Sequence, residues 1–564
     1  MEFAELDQQA QAWLVQDPDP ITRNKLQILI ADAKTNAVAQ AELSDCFNGS
    51  LQFGTAGLRG ELGPGPNRMN RVTVLKAAAG LGQFLLTQGK AGSAVVIGYD
   101  ARHNSSIFAR DSAEVLSALG FKVSLFPTVV PTPVLAFSIK ALGTCAGIMV
   151  TASHNPAADN GYKVYLGDGR QIVPPSDTEI AECISRVTDV RSLARSEDYK
   201  SVSNSVVTDY IEACASLIKS GPVSPERLGA VRCVYTAMHG VGWQTFAQVM
   251  QASGFTEPQA VLAQRDPDPD FPTVAFPNPE EAGALDLAFA TAKQSEAHLI
   301  VANDPDADRL AIAIPTREGQ WKMLRGDQVG TLLGWWLIER SRIAGTPLTG
   351  AFANSIVSST LLEAVAVTAG LGYQHTLTGF KWVSRVPELS YGYEEALGYC
   401  VDPQNVSDKD GISAALMFLE LYAHLLAENR TAWDVLDELA KEHGLHETAQ
   451  VSVRIADVAR VKAVMEQLRT VPMQQFGAYK VLKFVDLALG QELPPTDGVI
   501  IELAAQGNIS WARVIIRPSG TEPKIKCYLE VVSQLEDLSD AQTAVDECLS
   551  QLAQVAEPLL TGEK

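Results

Sequence analysis

Short apolar runs alternate with amphipathic segments along most of this 564-residue chain. The run at 93–100 (SAVVIGYD) predicts a buried strand, the amphipathic stretch 109–120 predicts a helix that Gly120 closes, and FKVSLFP predicts the next strand. The rhythm recurs in later blocks, with helices predicted over 242–253, around 359–369 and over 411–427. Strands that alternate with helices are typical of largely parallel sheets with right-handed crossovers. The pattern therefore predicts three α/β blocks, which share this rhythm but no repeated sequence.

The two ends of the chain depart from this rhythm. The first ~45 residues predict two helices with Pro18 and Pro20 between them, and a glycine-rich loop is predicted over 53–70. From about His446 onward, several strands follow one another with two helices, which is typical of an α+β domain. We therefore expect four domains, over residues 1–204, 205–325, 326–445 and 446–564.

Composition and charge limit the classes of function. Hydrophobic residues make up 46% of the chain and charged residues 20%, which predicts a folded multidomain protein rather than a disordered one. The formal net charge of −21 disfavours nucleic acid and anionic membranes as partners, although local basic groups can still hold an anionic substrate. No signal peptide, membrane-spanning run or paired-cysteine spacing is recognisable, so we expect reduced thiols and a cytoplasmic protein.

The first candidate site is a small polar loop, TASHNP, that follows the apolar strand AGIMV. Ser153 in this loop lies at the carboxyl end of a strand, where α/β proteins place ligands, and Pro156 prevents the strand from continuing. Ser153 is a candidate nucleophile, with His154 beside it and Lys163 ten residues further on. An ordinary turn rich in serine and asparagine explains the same residues, and local chemistry alone leaves both interpretations open.

The second candidate site is the acidic loop NDPDADRL after the strand AHLIVA. Asp304, Asp306 and Asp308 alternate there, and carboxylates this close repel one another unless a cation lies among them. A set of oxygen ligands without Cys or His suits Mg²⁺ better than zinc. A solvated acidic turn is the alternative, whereas an EF-hand is excluded because the sixth position lacks Gly and the twelfth lacks Glu.

Two later loops carry weaker signals. Glu394 and Glu395 in YGYEEALGY suit a loop that accepts hydrogen bonds from sugar hydroxyls, although acidic loops are common. The segment RVIIRPSGTEPKIKCYLE places a basic residue, hydroxyls and a glycine at the end of a strand, so that they can converge on one anion. An ordinary hairpin loop explains this second segment equally well. Its candidate residues are Arg517, Ser519, Gly520, Thr521 and Lys524.

The order of these loops along the chain is more specific than any one of them. With TASHNP, DPDADR and RPSGTEP in this order, the sequence resembles the α-D-phosphohexomutase superfamily of phosphoglucomutases and phosphomannomutases. The resemblance covers nearly the whole chain, from the glycine-rich loop to the last motif. The segments FGTAGLRG, TLTGFKWV and GYEEALGY look most like the phosphoglucomutase-2-like branch, which includes bacterial α-phosphoglucomutases and animal phosphopentomutase-type members.

The resemblance implies a fold and a role for each motif. The fold would have three similar α/β domains with mixed sheets and a smaller C-terminal α+β domain around a central cleft. Ser153 would carry a phosphoryl group, and Mg²⁺ would be bound by Ser153, Asp304, Asp306 and Asp308. The residues expected around the transferred phosphoryl group are Arg59, His154, Lys163 and Arg309, with Lys163 as candidate general acid or base. The substrate-binding residues implied are Gly379, Lys381, Glu394 and Glu395 at the sugar, and Arg517, Ser519, Gly520 and Thr521 at the phosphate that is not reacting.

The activity implied is the interconversion of glucose 1-phosphate and glucose 6-phosphate through phosphoserine, with glucose 1,6-bisphosphate as the activator. One position departs from the family pattern, because Ala396 stands where the sugar loop often has Ser. A pentose or mannose phosphate mutase and a glucose-1,6-bisphosphate synthase therefore remain open. A metal-dependent phosphatase leaves TASHNP unexplained, and a non-catalytic binding protein is disfavoured because every reactive position is occupied. The expected partner is a phosphosugar, with no nucleic acid or membrane, and the expected state is a monomer or small homo-oligomer.

Overall fold

The computed structural model describes residues 3–455, 458–470, 473–518 and 524–561. These residues divide into two units, the first comprising Met1–Met323 and Gly398–Glu420 and the second comprising Leu324–Leu397 and Leu421–Lys564. Two of the four sheets lie wholly in the first unit. The expected division into α/β domains with mixed sheets and a terminal α+β domain is confirmed.

Three helices, and not the two predicted, begin the chain: α1 (Phe3–Gln16), α2 (Pro20–Asp32) and α3 (Ala37–Phe47). The prediction missed α3 because no proline separates it from α2. Instead, the Asn36 side chain caps α3 by accepting hydrogen bonds from the Val38 and Ala39 N–H groups. The three helices pack against the first α/β domain, where Trp13 and Phe47 share an apolar cluster with Leu75.

The first sheet is mixed and carries the serine loop. Its strand order is β1-β5-β4-β2-β3-β6, in which β5 runs antiparallel to both β1 and β4 and the remaining pairs are parallel. The strand β1 lies inside the predicted glycine-rich loop, so that part of the loop prediction was wrong. The elements are β1 (Leu58–Glu61), α4 (Arg71–Thr87), β2 (Ala94–Tyr99), α5 (Ser105–Ala118), β3 (Lys122–Leu125), α6 (Thr132–Ala141), β4 (Ala146–Val150), β5 (Asp159–Leu166), α7 (Ser176–Ser185) and β6 (Lys200–Ser201).

The second sheet, also in the first unit, carries the acidic loop. Its order is β11-β10-β9-β7-β8, with β7 parallel to β8 and β9 and with β10 antiparallel to both of its neighbours. The predicted helix 242–253 is confirmed by α10. The elements are α8 (Asn204–Lys219), α9 (Pro225–Gly229), β7 (Cys233–Thr236), α10 (Gly242–Ser253), β8 (Gln259–Ala260), α11 (Leu262–Arg265), α12 (Asp286–Gln294), β9 (Leu299–Ala302), β10 (Ala311–Pro315) and β11 (Trp321–Met323).

The third domain contributes parallel strands to the second unit. The strand order is β13-β12-β14, and both pairs are parallel. The segments that follow β12 and β13 therefore lie at the same edge of the sheet. The elements are α13 (Gly326–Ala344), β12 (Ala351–Ser355), α14 (Leu361–Thr368), β13 (Gly372–Thr376), α15 (Phe380–Val383) and β14 (Leu389–Glu394). The chain then passes through the first unit, where β15 (Gly398–Cys400) lies and where α16 (Gly411–Ala427) begins.

An antiparallel sheet with two helices ends the second unit, as the α+β prediction requires. Its order is β16-β21-β20-β19-β18-β17. The prediction had not named β18, although the alternation in YKVLKFV is a strand signal. After α17 (Ala432–His443), which precedes the sheet, the elements are β16 (Leu445–Arg454), α18 (Val458–Thr470), β17 (Gln475–Phe476), β18 (Tyr479–Asp486), β19 (Val499–Leu503), β20 (Trp511–Pro518), β21 (Lys524–Ser533) and α19 (Leu538–Thr561).

No single helix within the described ranges is long and apolar enough to cross a bilayer. The pair α16 and α17 reaches the required length and composition only when the two helices are taken together, and they meet at a bend of 92°.

Candidate active site

Ser153 lies on a tight turn directly after β4. All five residues of β4 are buried, and Ser153 itself is 2% exposed. The turn is closed by the Asn155 N–H, which donates to the Ala152 carbonyl over 3.1 Å. Ser153 has φ +51°, in the left-handed region that few residues other than glycine adopt. A strained residue at the carboxyl end of a strand is a common mark of a functional position.

The three aspartates follow β9 and are buried, at 0%, 0% and 1% exposure. One oxygen from each of Asp304, Asp306 and Asp308 lies within 4.8 Å of the other two. The turn between them needs a left-handed residue, Ala307, at φ +56°. The Ser153 hydroxyl donates to Asp304 Oδ2 over 2.5 Å, which joins the serine loop of the first sheet to the acidic loop of the second.

Positive side chains surround these carboxylates. Lys163 Nζ donates to Oδ2 of Asp306 and of Asp308, each over 2.7 Å, while Lys409 Nζ lies 3.3 Å from Asp308 Oδ2. Arg309 Nε lies 3.8 Å from Asp308 Oδ1. Burial alone would raise the pKa of Asp308, but Lys163 and Lys409 outweigh it and lower that pKa. Burial would lower the pKa of Lys163, yet its two carboxylate partners raise it, so this lysine is charged at neutral pH.

The carboxylates also fit a divalent cation. Oδ1 of Asp306 and Oδ1 of Asp308 are buried and lack a hydrogen-bond partner among the described residues. Buried oxygens normally have partners, so two open carboxylate oxygens point to an absent ligand. Burial and the neighbouring carboxylates raise the pKa of Asp304 well above its ordinary value, a repulsion that a cation would relieve. With the Ser153 hydroxyl nearby, the oxygen-only set suits Mg²⁺.

His154 and Arg59 complete the part of the site around Ser153. His154 Nδ1 lies 3.3 Å from Ser153 Oγ, and the Arg59 guanidinium on β1 donates to Asn155 Oδ1 over 3.1 Å. Burial, together with the positive charges of Arg309 and Arg59, lowers the pKa of His154 well below its usual value. The imidazole is therefore neutral at pH 7 and can accept or donate one hydrogen bond at each nitrogen.

Sequence reasoning missed Lys409. This lysine is 7% exposed and precedes Asp410, whose side chain caps α16 by accepting from the Ile412 and Ser413 N–H groups, each over 3.0 Å. A lysine next to a helix cap is unremarkable in the sequence, because nothing local shows which carboxylate it meets. The sequence feature that could have pointed to Lys409 is that a single basic residue stands shortly before the apolar run ISAALMFL.

The second unit holds the predicted sugar-loop residues. Glu394 ends β14, and its Oε1 accepts a hydrogen bond of 2.6 Å from the Gly379 N–H. Gly379 has φ +110°, which a side chain would disfavour, and a Cβ there would lie 3.1 Å from Lys381 Cε. Lys381 belongs to α15, which replaces part of the expected loop. The structure thus brings Gly379, Lys381 and Glu394 together.

Glu395 has a different environment from Glu394. Its Oε2 accepts hydrogen bonds from the Ser355 and Ser358 hydroxyls over 3.0 and 3.1 Å. Burial, followed by the nearby charge of Glu394, raises the pKa of Glu395 to about 7. These contacts are internal, so the structure gives Glu395 a supporting position beside the sugar loop.

Arg517 lies near the end of β20 in the same unit. It pairs in register with Lys526 on β21, whose ammonium lies 5.9 Å from the centre of the Tyr528 ring. Burial and then the charge of Glu395 raise the pKa of Tyr528, while a hydrogen bond with Arg517 acts in the opposite direction. Arg517 therefore shares its surroundings with the sugar loop. The other predicted clamp residues, Ser519, Gly520 and Thr521, lie outside the described residues.

Four family models match the chain in succession, and each is a domain of phosphoglucomutase/phosphomannomutase. Alpha/beta/alpha domain I matches residues 50–191, domain II matches 208–319 and domain III matches 325–443. The C-terminal domain of the same family matches residues 450–547.

Individual proteins agree with these matches. A "Probable phosphomannomutase" of Haemophilus influenzae is 45% identical over 484 residues, which covers 85% of this chain and 96% of that protein. The phosphopentomutase of Homo sapiens is 36% identical, with 94% of this chain and 92% of that protein covered. The crystal structure of the Paramecium phosphoglucomutase parafusin shares the fold, with a TM-score of 0.68 at 19% identity over 90% of this chain and 94% of that one. The chain therefore belongs to the phosphoglucomutase/phosphomannomutase family, in the α-D-phosphohexomutase superfamily, as its motifs predicted.

Replacing Asp306 by Asn should weaken Mg²⁺ binding on the order of tenfold or more, because the change removes one negative charge from a buried oxygen site. Isothermal titration with Mg²⁺ on metal-stripped protein measures this directly. Asp209→Asn, which makes the same change at an exposed position of α8, should bind Mg²⁺ like the wild type. Equal affinities for the two variants would contradict the metal assignment.

Replacing Glu395 by Gln should flatten the dependence of stability on pH. Because the folded-state pKa is raised to about 7, the folded chain holds a proton that the unfolded chain releases near pH 4.3, so stability falls as pH rises between roughly these values. Thermal unfolding between about pH 5 and pH 8 should show that the stability of the variant, relative to that of the wild type, increases as pH rises. Glu466→Gln on the exposed face of α18 is the control, and pH curves for Glu395→Gln that run parallel to the wild type would contradict the shift.

Proposed function

We propose that this chain is a phosphoglucomutase, which interconverts glucose 1-phosphate and glucose 6-phosphate through phosphorylated Ser153 and glucose 1,6-bisphosphate. One observation carries the proposal: the Ser153 hydroxyl lies 2.5 Å from a buried cluster of three carboxylates that fits a divalent cation. A serine at such a position can exchange a phosphoryl group, because cations offset the charge that builds up during transfer.

The proposed reaction has two half-reactions. In the first, the bond from phosphorus to Ser153 Oγ breaks while phosphorus bonds to a sugar hydroxyl oxygen. The hydroxyl proton passes to a base and Ser153 Oγ gains a proton, which leaves a free serine and a sugar bisphosphate. In the second, the other phosphoryl group of the bisphosphate returns to Ser153 by the same steps in reverse. The bisphosphate also primes an unphosphorylated serine.

The surrounding side chains supply charge and protons. Lys163 holds its proton between two carboxylates, so of the two roles expected of it, general acid or base, this state suits the general acid. The neutral His154 ring, 3.3 Å from Ser153 Oγ, can form a hydrogen bond with the serine oxygen, and Arg59 and Arg309 add positive charge. Mg²⁺ bound by Asp304, Asp306 and Asp308 would neutralise charge on the phosphoryl oxygens.

We propose that loops of the second unit bind sugar hydroxyls and a phosphate. Glu394 and Lys381 offer an acceptor and a donor for sugar hydroxyls, while Arg517 offers a two-pronged donor for the phosphate that is not reacting. A clamp based on charge suits this reaction, because the same residues must hold a phosphate at either end of the sugar. The expected domain limits of 204, 325 and 445 remain part of this proposal, and the family matches ending at 191, 319 and 443 support them.

A pentose phosphate mutase is the second candidate. Ala396 removes a hydroxyl from the sugar loop, so a sugar that offers fewer hydroxyl groups would lose less binding energy here. The 36% identity to human phosphopentomutase over 94% of the chain supports this alternative. A panel of glucose, mannose, ribose and glucosamine phosphates, followed by ³¹P NMR, decides between the candidates. Release of inorganic phosphate would indicate a phosphatase, and accumulation of bisphosphate would indicate a synthase.

We also propose that the protein works in the cytoplasm, as a monomer or small homo-oligomer, with a phosphosugar as its partner. Its formal net charge of −21 supports this view, because it disfavours nucleic acid and anionic membrane surfaces.

Replacing Ser153 by Ala should abolish mutase activity and leave the fold intact, since the change removes the hydroxyl that donates to Asp304, and one lost hydrogen bond usually costs about 1 kcal/mol. A coupled assay with glucose 1-phosphate measures activity, and intact mass should show one phosphate on part of the wild-type protein and none on the variant. Ser185→Ala on α7 is the control and should keep wild-type activity. Full activity of Ser153→Ala would rule out the phosphoserine pathway.

Replacing Arg517 by Ala should lower kcat/KM about 10- to 100-fold, because a charge-assisted pair of hydrogen bonds to phosphate is lost. Most of the loss should appear in KM, since the clamped phosphate is bound in both the ground state and the transition state. Phosphorylation of Ser153 should survive, and Arg186→Ala on the first unit's surface should leave both constants unchanged. An unchanged KM with a collapsed kcat would instead assign Arg517 to the reacting phosphoryl group.

A further inference from the structure

Arg102 is bound to the backbone of the turn that carries Ser153. Its guanidinium donates four hydrogen bonds to carbonyl oxygens, from Nη2 to Ser153 and Asn155 over 2.6 Å each, and from Nη1 to Pro156 over 2.7 Å and Asp159 over 3.1 Å. The Arg102 side chain is 1% exposed, so water does not compete for these bonds. One planar cation therefore joins both ends of the segment 153–159.

The sheet anchors Arg102 in turn. Asp100 directly follows β2, and its N–H donates to the Val150 carbonyl at the end of β4 over 3.0 Å. The Asp100 side chain accepts from the Arg102 N–H over 3.0 Å and from the Ser105 hydroxyl over 2.7 Å, and its Oδ2 lies 3.4 Å from Arg102 Nε. The guanidinium is thus held by the strand next to the one that leads to Ser153.

A residue from the second domain covers the guanidinium. The Phe271 ring, from the segment between α11 and α12, lies over Arg102 at 4.9 Å and is 3% exposed. Phe271 has φ +44°, a conformation that bulky residues avoid unless their surroundings impose it. Beside it, Asp270 pairs with His103 over 2.7 Å. Residues from both domains of the first unit therefore fix Arg102.

The hydrogen bonds to Arg102 also orient the peptide between Ser153 and His154. In a trans peptide the C=O and the N–H point in opposite directions. With the Ser153 carbonyl directed at Arg102, the His154 N–H is directed away from it. This N–H has no protein acceptor among the described residues, which leaves it available to an anionic oxygen on the other side of the turn.

We propose that Arg102 is a positioning residue for phosphoryl transfer, which keeps Ser153 in its left-handed conformation and turns the His154 N–H towards the phosphoryl oxygens. The inference rests on the proposed function, because it takes Ser153 as the phosphoryl carrier. Arg102 acts through the backbone, since its terminal nitrogens donate to four carbonyl groups rather than to the reacting atoms.

The main test replaces Arg102 by Lys. Lysine keeps the positive charge, but its ammonium group has one nitrogen in place of the two terminal nitrogens of the guanidinium. We expect kcat to fall on the order of 100-fold, as for a misplaced reacting group, while KM for the sugar phosphate stays at the wild-type value. Hydrogen exchange of the amides in 151–161 should become faster. Arg71→Lys is the matched control, because Arg71 also uses two nitrogens, on Asp111 over 2.7 and 2.8 Å, without contacting the turn. It should keep wild-type kcat and wild-type exchange in 151–161.

A rescue experiment separates orientation from general damage. Replacing Arg102 by Ala leaves a space of guanidinium shape, so low millimolar guanidinium should restore part of kcat whereas methylammonium should not. If the alanine variant does not fold, Arg102→Lys still decides the question.

Two results would overturn the proposal: wild-type kcat in Arg102→Lys, or a loss of kcat without faster exchange in 151–161. If the wild-type protein itself neither carries phosphate nor interconverts sugar phosphates, the proposed function fails. The exchange measurement needs no substrate, so it would still show whether Arg102 holds the turn.

Discussion

The site of the first unit depends on holding three carboxylates close together inside protein. Asp304, Asp306 and Asp308 are almost fully buried, and their mutual repulsion must be offset by positive charge. Lys163 meets this need from the first sheet and Lys409 from the segment before α16, while open oxygens remain for a divalent cation. The need to offset this repulsion therefore brings charged residues of two domains together. It also creates the environment in which a serine can exchange a phosphoryl group.

Among the described residues other than glycine, several have left-handed φ values, and some of these lie where this chemistry would occur. Ser153 and Ala307 adopt left-handed conformations on the two loops, and Phe271 does so where it covers Arg102. Such residues persist only when their surroundings over-determine them, as the four hydrogen bonds from Arg102 do for the serine turn. Rigid support of this kind keeps a reacting group within the small tolerance that catalysis requires.

Much of this organisation could be predicted from the sequence, because it is local. The helices 242–253 and 411–427 are found as predicted, and the serine and acidic loops were recognised from a strand followed by polar residues. What the sequence alone left out depends on tertiary contacts. The role of Lys409 depends on its contact with Asp308, a residue of another segment. The strand β1 forms in a glycine-rich stretch because β5 is its partner strand.

The most direct test follows the phosphoryl group itself. Protein carrying phosphate should be mapped by peptide mass spectrometry and then mixed with one equivalent of glucose 1-phosphate in a single turnover with Mg²⁺. We expect the phosphate to be on Ser153 and to appear in a sugar bisphosphate or in glucose 6-phosphate, with no inorganic phosphate formed. Phosphate on another residue, or its release as inorganic phosphate, would contradict the assignment of Ser153 as the phosphoryl carrier of a mutase.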